Sequence, residues 1–175
     1  DYASADYYYV NKSSLPKVYG GFNTSLSWKG FDLSAIFAYS IGGYIYNRDI
    51  TMILHNGSLE GRAWSTEILR RWTPDNRYTD VPALSTTSNN WNSASTRFLQ
   101  NNSYMRLKNL TLSYNLPKPW VSKLALSSVQ VYVQGDNLFT IHKNQGLDPE
   151  QGITGITYYR YPAMRTISGG INIAF

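Results

Sequence analysis

Two carboxylates stand two residues apart in Gly146-Leu147-Asp148-Pro149-Glu150. Such a pair is what glycoside hydrolysis needs, an acid and a base or nucleophile about 5 to 9.5 Å apart across a sugar. The proline between them makes a turn, or a contact to a partner, the plainer reading. His55 and His142 each lack a second histidine or a spaced carboxylate nearby, so neither a metal site nor a general base is indicated, and both are expected as solvent-exposed loop residues. The chain has 0 cysteines, which removes disulfides and thiolate metal sites, and no cofactor is expected. Aromatic residues are the other chemistry-bearing group. Trp64, Trp72, Trp91, Tyr158, Tyr159 and Tyr161, with Arg160, fall outside the alternating segments of the chain. There they are candidates for stacking on sugar rings or meeting a partner, with packing of loops on one another as the plainer alternative.

The elements that must position these residues are strands. Phe22, Thr24, Leu26 and Trp28 alternate with Asn23, Ser25 and Ser27, and after Lys29-Gly30 the alternation resumes through Phe31, Leu33, Ala35, Phe37, Tyr39 and Ile41. This is a half-apolar hairpin with a two-residue turn. Residues 42–102 break the pattern at Gly42-Gly43, Asn56-Gly57, Pro74-Asp75, Pro82 and a Ser/Thr/Asn-rich stretch over 85–96, so they form one very long connection. Within it, Trp64, Ile68, Leu69 and Trp72 lie near helical spacing and Pro74 ends the run, which predicts one short loop helix over 63–72. Alternation returns over 104–116 and 129–141, separated by a compact turn at 117–127, and again over 165–175 after a second long loop at 142–164. Five strands are expected, near 19–28, 31–41, 104–116, 129–141 and 165–175. Residues 1–18 stay open between loop and the tail of an earlier strand.

The fold class is therefore all-β, and the connections decide which kind. They alternate short, very long, short, long, the asymmetry of outer-membrane barrels, which have short periplasmic turns and long extracellular loops. The strands are also long enough, at about nine to thirteen residues, to cross a bilayer when tilted. A count of 15 Tyr against 6 Phe and 5 Trp, with charged residues at only 15%, fits a surface partly facing lipid. Trp28, Phe31, Tyr39, Tyr114 and Phe139 fall at strand ends and are the expected aromatic girdle. Gln130, Gln134, Ser168 and Asn172 are expected to line the lumen. The net charge of +5 is scattered and carries no nucleic-acid motif, so no nucleic-acid partner is expected, whereas outer-membrane lipid and lipopolysaccharide suit a mildly cationic surface. One misfit stands out: Arg106 and Lys108 share parity with the lipid-facing Leu110 and Leu112, so either they snorkel to the rim or a bulge shifts the register. Unpaired edges cannot persist in lipid, so five strands are expected to belong to a larger barrel or to be covered by other chains.

The run Asn102-Ser103-Tyr104-Met105-Arg106-Leu107-Lys108-Asn109-Leu110-Thr111-Leu112-Ser113-Tyr114-Asn115-Leu116-Pro117 carries a family resemblance. Together with Val131-Tyr132-Val133-Gln134-Gly135-Asp136-Asn137-Leu138-Phe139-Thr140 and Gly146-Leu147-Asp148-Pro149-Glu150, it resembles the C-terminal end of SusC/RagA-type TonB-dependent transporters. Pro16-Lys17-Val18-Tyr19-Gly20-Gly21-Phe22 and Trp28-Lys29-Gly30-Phe31-Asp32-Leu33-Ser34 look like the hairpin before it. The resemblance implies the last strands of a large antiparallel transmembrane β-barrel in the outer membrane of Bacteroidetes, with the plug domain absent from this chain. It also implies a SusD-like lipoprotein lid, import of glycans or peptides, and TonB acting through an N-terminal region that is missing here. Ile171, Ile173 and Phe175 would be the barrel's C-terminal assembly signal, read by the outer-membrane assembly machinery. On the same reading Trp64, Trp72, Trp91, Tyr158, Tyr159 and Arg160 become candidate ligand or lid contacts. Two other classes stay in view: a soluble carbohydrate-binding β-sandwich, and an enzyme built on Asp148 and Glu150.

Overall fold

Lys29 and Gly30 both take positive φ, 48° and 88°. A two-residue type I′ hairpin turn requires this, because its twist matches that of the flanking strands. The turn sets Trp28 directly opposite Phe31 and pairs the two strands without slippage from Val18↔Ile41 onward. The computed structural model describes residues 2–175 apart from Asn56, Ser58, Thr86, Ser88, Asn89 and Gln145, with Ala3 described by its backbone alone. The expected breaks at Asn56 and within 85–96 thus fall partly outside the described residues.

In chain order the strands are β1 (Val18–Trp28), β2 (Phe31–Ile41), β3 (Tyr44–Asn47), β4 (Leu99–Asn101), β5 (Tyr104–Asn115), β6 (Ser128–His142), β7 (Ile156–Thr157) and β8 (Thr166–Ala174). Two short helices, α1 (Arg48–Ile53) and α2 (Lys118–Val121), accompany several 3₁₀ turns. The chain divides into two compact units. A sheet unit comprises Pro16–Gly43, Asn102–Glu150 and Tyr161–Phe175, and a loop unit comprises Asp1–Leu15, Tyr44–Asn101 and Gln151–Arg160. No helix among the described residues is long and apolar enough to cross a membrane.

The sheet unit is a five-stranded sheet in the order β1-β2-β5-β6-β8, with every neighbour antiparallel. The register carries the sequence alternation from strand to strand. Leu26, Leu33, Leu112, Val133 and Gly169 form one row, and Trp28, Phe31, Tyr114, Val131 and Ile171 form the next. Successive side chains point to opposite faces, so these rows build one continuous apolar face. That face is uncovered: Leu26 is 65% exposed and Ile171 62%. Such a face asks for a cover, which a second sheet supplies in a soluble sandwich and lipid supplies in a membrane barrel.

The opposite face is polar and internally bonded. Ser27 donates to Asp32, Asn115 Nδ2 donates to Asp32 Oδ2 at 2.7 Å, Gln130 Nε2 to Asn115 Oδ1 at 3.1 Å, and Asn172 Nδ2 to Gln130 Oε1 at 3.1 Å. This chain of bonds crosses all five strands near the hairpin-turn end. Gln134 Nε2 bonds Asp136 on the same face, and Ser168 pairs with Gln134. Gly170 lies opposite Tyr132, where an added Cβ would come within 2.7 Å of the tyrosine hydroxyl and 2.9 Å of the ring. Gly170→Leu is therefore expected to displace that ring at a cost of about 1–3 kcal/mol. The measurement is the temperature at which the detergent-folded receptor loses its compact electrophoretic mobility, and an unchanged temperature would show that the ring moves aside freely.

The Arg106 and Lys108 misfit resolves as a bulge. Leu107 pairs with Phe37 and Phe139, while Asn109 pairs with Ile36 and Asp136, so Lys108 is an extra residue against β2 and stands opposite two residues, Asn137 and Leu138, on β6. The slip puts Leu107 on the apolar face with Leu110 and Leu112, and it turns Arg106 to the polar face opposite Thr140. On the partner strand Asn137 absorbs the irregularity with φ 52°.

Two expectations need correction in the loop unit. The helix predicted over 63–72 is only a 3₁₀ turn, Thr66–Arg70, capped by Ser65 and burying Ile68 alone. With a single buried anchor, the apolar spacing of Trp64 and Trp72 has no partner surface to propagate a helix. The α-helix of this region is α1 instead, capped by Asn47, whose side chain accepts from the Ile50 amide at 3.1 Å. The long connection also holds a small sheet, β4-β3-β7, in which β3 and β7 run parallel.

Candidate functional site

Asp148 and Glu150 do not form a free acid pair. Arg106 Nη2 donates to Asp148 Oδ1 at 2.5 Å, Arg106 Nη1 to Glu150 Oε2 at 2.9 Å and Arg106 Nε to Thr140 Oγ1 at 2.8 Å. Lys108 Nζ donates to both oxygens of Glu150, at 2.6 and 2.7 Å. The side chains of Arg106 and Asp148 are only 4% and 7% exposed, whereas Lys108 and Glu150 reach 33% and 40%. Arg106 and Lys108 of β5 thus serve one loop, and the bulge is what sets Arg106 on the face opposite Leu110 and Leu112. The Asp-Pro-Glu turn is pinned further by Asn102 Nδ2, which donates to the carbonyl of the buried Pro149 at 2.9 Å, and by Asn144 Nδ2, which donates to Asn102 Oδ1 at 2.9 Å.

Asp148 also collects the loop from its far end, accepting from the Glu150 amide at 2.9 Å and the Ala163 amide at 2.6 Å. Burial alone would raise its pKa. The Ala163 and Glu150 amides, with the Arg106 hydrogen bond and charge, outweigh burial and hold the carboxyl below its ordinary range. A general acid needs the opposite shift, so proton donation by Asp148 is not supported. For pH the sign follows directly. A carboxyl whose pKa is lower folded than unfolded adds stability that is complete above its unfolded value, near 3.8, and is lost as pH falls through the folded value. Exchange protection of the Ala163 amide is expected to hold at pH 5 and to fail only well below pH 4. Loss of protection between pH 7 and 5 would contradict this.

The loop unit assembles a second cluster around Tyr158 and Tyr159, whose ring centroids are 4.1 Å apart. The Arg48 guanidinium lies over the Tyr158 ring at 4.7 Å. Asp49 Oδ1 accepts from the Tyr159 amide at 2.9 Å and holds that residue at φ 49°, a left-handed conformation uncommon for a bulky side chain. Such outliers persist where surrounding structure over-determines them, and they concentrate at ligand-contacting positions. Asp49, Met52, Ile53, Arg62, Ala63, Tyr159 and Arg160 line a cleft of about 640 Å³.

Of the candidate contacts, Tyr159 and Arg160 come together in this cleft and Tyr158 stands beside it, but the tryptophans do not join them. Trp64 Nε1 donates to His55 Nδ1 at 3.0 Å, Trp91 is capped by the Arg97 guanidinium at 3.4 Å, and Trp72 is held by its backbone amide on the Val81 carbonyl at 2.8 Å. Tyr161 lies in the sheet unit, 97% exposed. The expectation that both histidines are exposed holds for His142 alone. His55 is buried at 1% exposure, because its ring packs edge-on against Trp64. Burial first, and then the Arg62 charge, lower its pKa against the raising effect of the Arg62 backbone. Among the described residues no group of three or more His, Cys, Asp or Glu could hold a metal.

No protein-family model matches the chain. It is 37% identical over 167 residues to TonB-dependent receptor P3 of Formosa agariphila, covering 89% of this chain and 16% of that protein. TonB-dependent receptor SusC of Bacteroides thetaiotaomicron is 27% identical over 171 residues, covering 95% of this chain and 16% of that protein. The fold superposes on a chain of the RagAB peptide importer in its open-open state with a TM-score of 0.83 and 36% identity, over 95% of this chain and 18% of that one. In the closed-closed state the TM-score is 0.82. The chain belongs to the SusC/RagA family of TonB-dependent receptors. It spans about a sixth of the length of the curated relatives it matches, 16% to 18%.

SusC/RagA receptors are outer-membrane β-barrel proteins, and the five-stranded sheet is the barrel portion this chain supplies. Its relatives are named as receptors and importers, not as enzymes. Sequence reasoning missed Arg48, Asp49 and Arg62 at the SusC/RagA loop cleft. The basic-acidic pair Arg48-Asp49 directly after Tyr44-Ile45-Tyr46-Asn47 was a visible signal, but its partner Tyr159 lies 110 residues away in the chain.

Proposed function

We propose that this chain forms five adjacent strands of an outer-membrane importer that takes up glycans or peptides under a SusD-like lipoprotein lid, energised by TonB through a region outside this chain. The observation that carries the reading is the uncovered apolar face backed by a bonded polar face. A strand-crossed bilayer asks for that arrangement, lipid on one side and water or plug on the other. With the apolar face in lipid, Trp28, Phe31 and Tyr114 form a girdle at the turn end and Tyr39 and Phe139 one near the other, where amphipathic rings sit at head-group level. The turns at 29–30 and 116–127 lie on the periplasmic side and the connections 42–103 and 143–165 outside. The outer edges of β1 and β8 are unpaired among the described residues, and in lipid they must be covered by other strands of the receptor. Ile171 and Ile173 on the lipid face of β8, with Phe175 after them, are the residues offered to the outer-membrane assembly machinery.

The test is uptake. Cells carrying the full receptor are expected to accumulate a labelled oligosaccharide or peptide only while the inner membrane is energised, and to lose that uptake when the receptor is removed. Uptake that survives collapse of the proton gradient, or recovery of the receptor from buffer without detergent, would sink the reading. A narrower expectation concerns assembly: Phe175→Ala combined with Ile173→Ser should lower the folded receptor in the outer membrane several-fold, seen as loss of the heat-modifiable band, and unchanged amounts would remove these residues from assembly.

A further inference from the structure

We infer that the loop-unit cleft formed by α1, Arg62-Ala63 and Tyr158–Arg160 binds an acidic ligand. Carboxylate or sulfate groups of that ligand pair with Arg62 and Arg160 while a ring or other flat face rests on Tyr159. The inference deepens the importer reading, and rests on it, by naming a substrate class.

Charge is the first observation. Two arginines, Arg62 and Arg160, line the cleft with one carboxylate, Asp49, whose Oδ1 accepts from the Tyr159 amide, and a third, Arg48, lies over the neighbouring Tyr158 ring. Other arginines of the chain show the pairing such a group makes: Arg70 has Glu67 and Asp80, Arg97 has Asp80, and Arg106 has Asp148 and Glu150. Among the described residues no ion pair reaches Arg48, Arg62 or Arg160, and the one side-chain partner of Arg160 is the neutral Gln151, at 3.4 Å. A guanidinium fork left in that state matches a carboxylate or sulfate in two-pronged geometry.

Shape is the second. The Arg48 guanidinium lies over the ring of Tyr158, which stands next to the cleft residue Tyr159. Tyr159, in a left-handed conformation with its amide on Asp49, is 66% exposed and lines the cleft together with the apolar Met52 and Ile53. A volume of about 640 Å³ lies within the range of sites for small molecules and short oligomers. Cation, flat ring and apolar lining suit an acidic sugar oligomer and an acidic peptide alike, since both offer an anionic group beside a less polar face.

The experiment is titration calorimetry on the full-length receptor in detergent. The probes are tetragalacturonate, its fully methyl-esterified form, tetraglutamate and tetraglutamine. At least one acidic probe is expected to bind about tenfold or more tightly than its neutral counterpart, with affinity falling as salt rises. Tetragalacturonate alone would assign an acidic glycan, tetraglutamate alone an acidic peptide, and both together the shared anion chemistry. Arg62→Ala/Arg160→Ala should weaken the acidic probe about tenfold or more while leaving the receptor's thermal mobility shift intact. Asp49→Ala separates positioning from charge: it makes the cleft more positive yet frees Tyr159, and weaker binding is expected. Acidic probes no tighter than neutral ones, an unaffected double variant, or tighter binding by Asp49→Ala would each overturn the proposal. Energised uptake that persists with no acid preference discards the cleft and keeps the importer, whereas acid binding without any energised uptake keeps the cleft and discards the importer.

Discussion

Arg106→Ala in the full-length receptor is expected to release the loop between β6 and β8, raising amide exchange at Glu150 and Ala163 by about a hundredfold or more while the strands themselves stay protected. The size follows from what remains behind. Arg106 and Asp148 are nearly sequestered from water, and Asp148 is also bonded to two backbone amides. Removing one member of a buried ion pair leaves an uncompensated charge, which typically costs about 3–5 kcal/mol, and each 1.4 kcal/mol is a factor of about ten. The protein relieves the cost by letting the loop leave, because water then solvates Asp148. Two comparisons sharpen the expectation. Lys108→Ala breaks a half-exposed pair and should cost less than about 1 kcal/mol. Arg106→Met with Asp148→Leu removes both charges at once and should be milder than Arg106→Ala alone. An Arg106→Ala loop as protected as the unaltered one would show that packing around Pro149 holds it and not the ion pair, and a double variant as loose as the single one would show that a stranded charge is not what opens it.

Leu110→Arg is expected to cost about 2–4 kcal/mol when the receptor refolds into lipid vesicles, and Ser25→Arg little. Leu110 lies in the middle of the apolar face, in a row with Ala35 and Gly135, while Ser25 pairs with Ser34 on the polar face of the same sheet. At the bilayer midplane an arginine must either bury its charge in hydrocarbon or thin the membrane around it, whereas on the polar face it meets water. Denaturant unfolding from vesicles measures both. Equal costs for the two variants would contradict the assignment of faces and the membrane reading with it.

Strand positions were legible because their information is local. Period-two alternation and a Lys-Gly turn fall within a dozen residues of one another, and the observed strands Val18–Trp28, Phe31–Ile41 and Tyr104–Asn115 lie where alternation places them. The tension at Arg106 and Lys108 was also legible, as charges at apolar parity, but its resolution was not. A bulge is decided by which partner waits across the sheet and in the loop, and the acceptors Thr140, Asp148 and Glu150 lie 34 to 44 residues on. The helix over 63–72 failed for a related reason. Spacing predicts which face is apolar, but only a packing surface decides whether that face propagates a helix, and here Ile68 alone is buried.

By itself the sequence determined the strand count of the sheet, the face of the strand residues away from the bulge at Lys108, the side on which connections are short, and the family motifs. All of these depend on residue type and near-neighbour spacing along a backbone with fixed geometry. Tertiary structure alone decided that Asp148 and Glu150 are anchors and not an acid pair, that His55 is buried on Trp64, and that Arg48, Arg62 and Arg160 gather at Tyr158 and Tyr159. In each case the deciding quantity is a charge or burial set by groups distant in the chain, and pairwise electrostatics and desolvation have no sequence period to betray them.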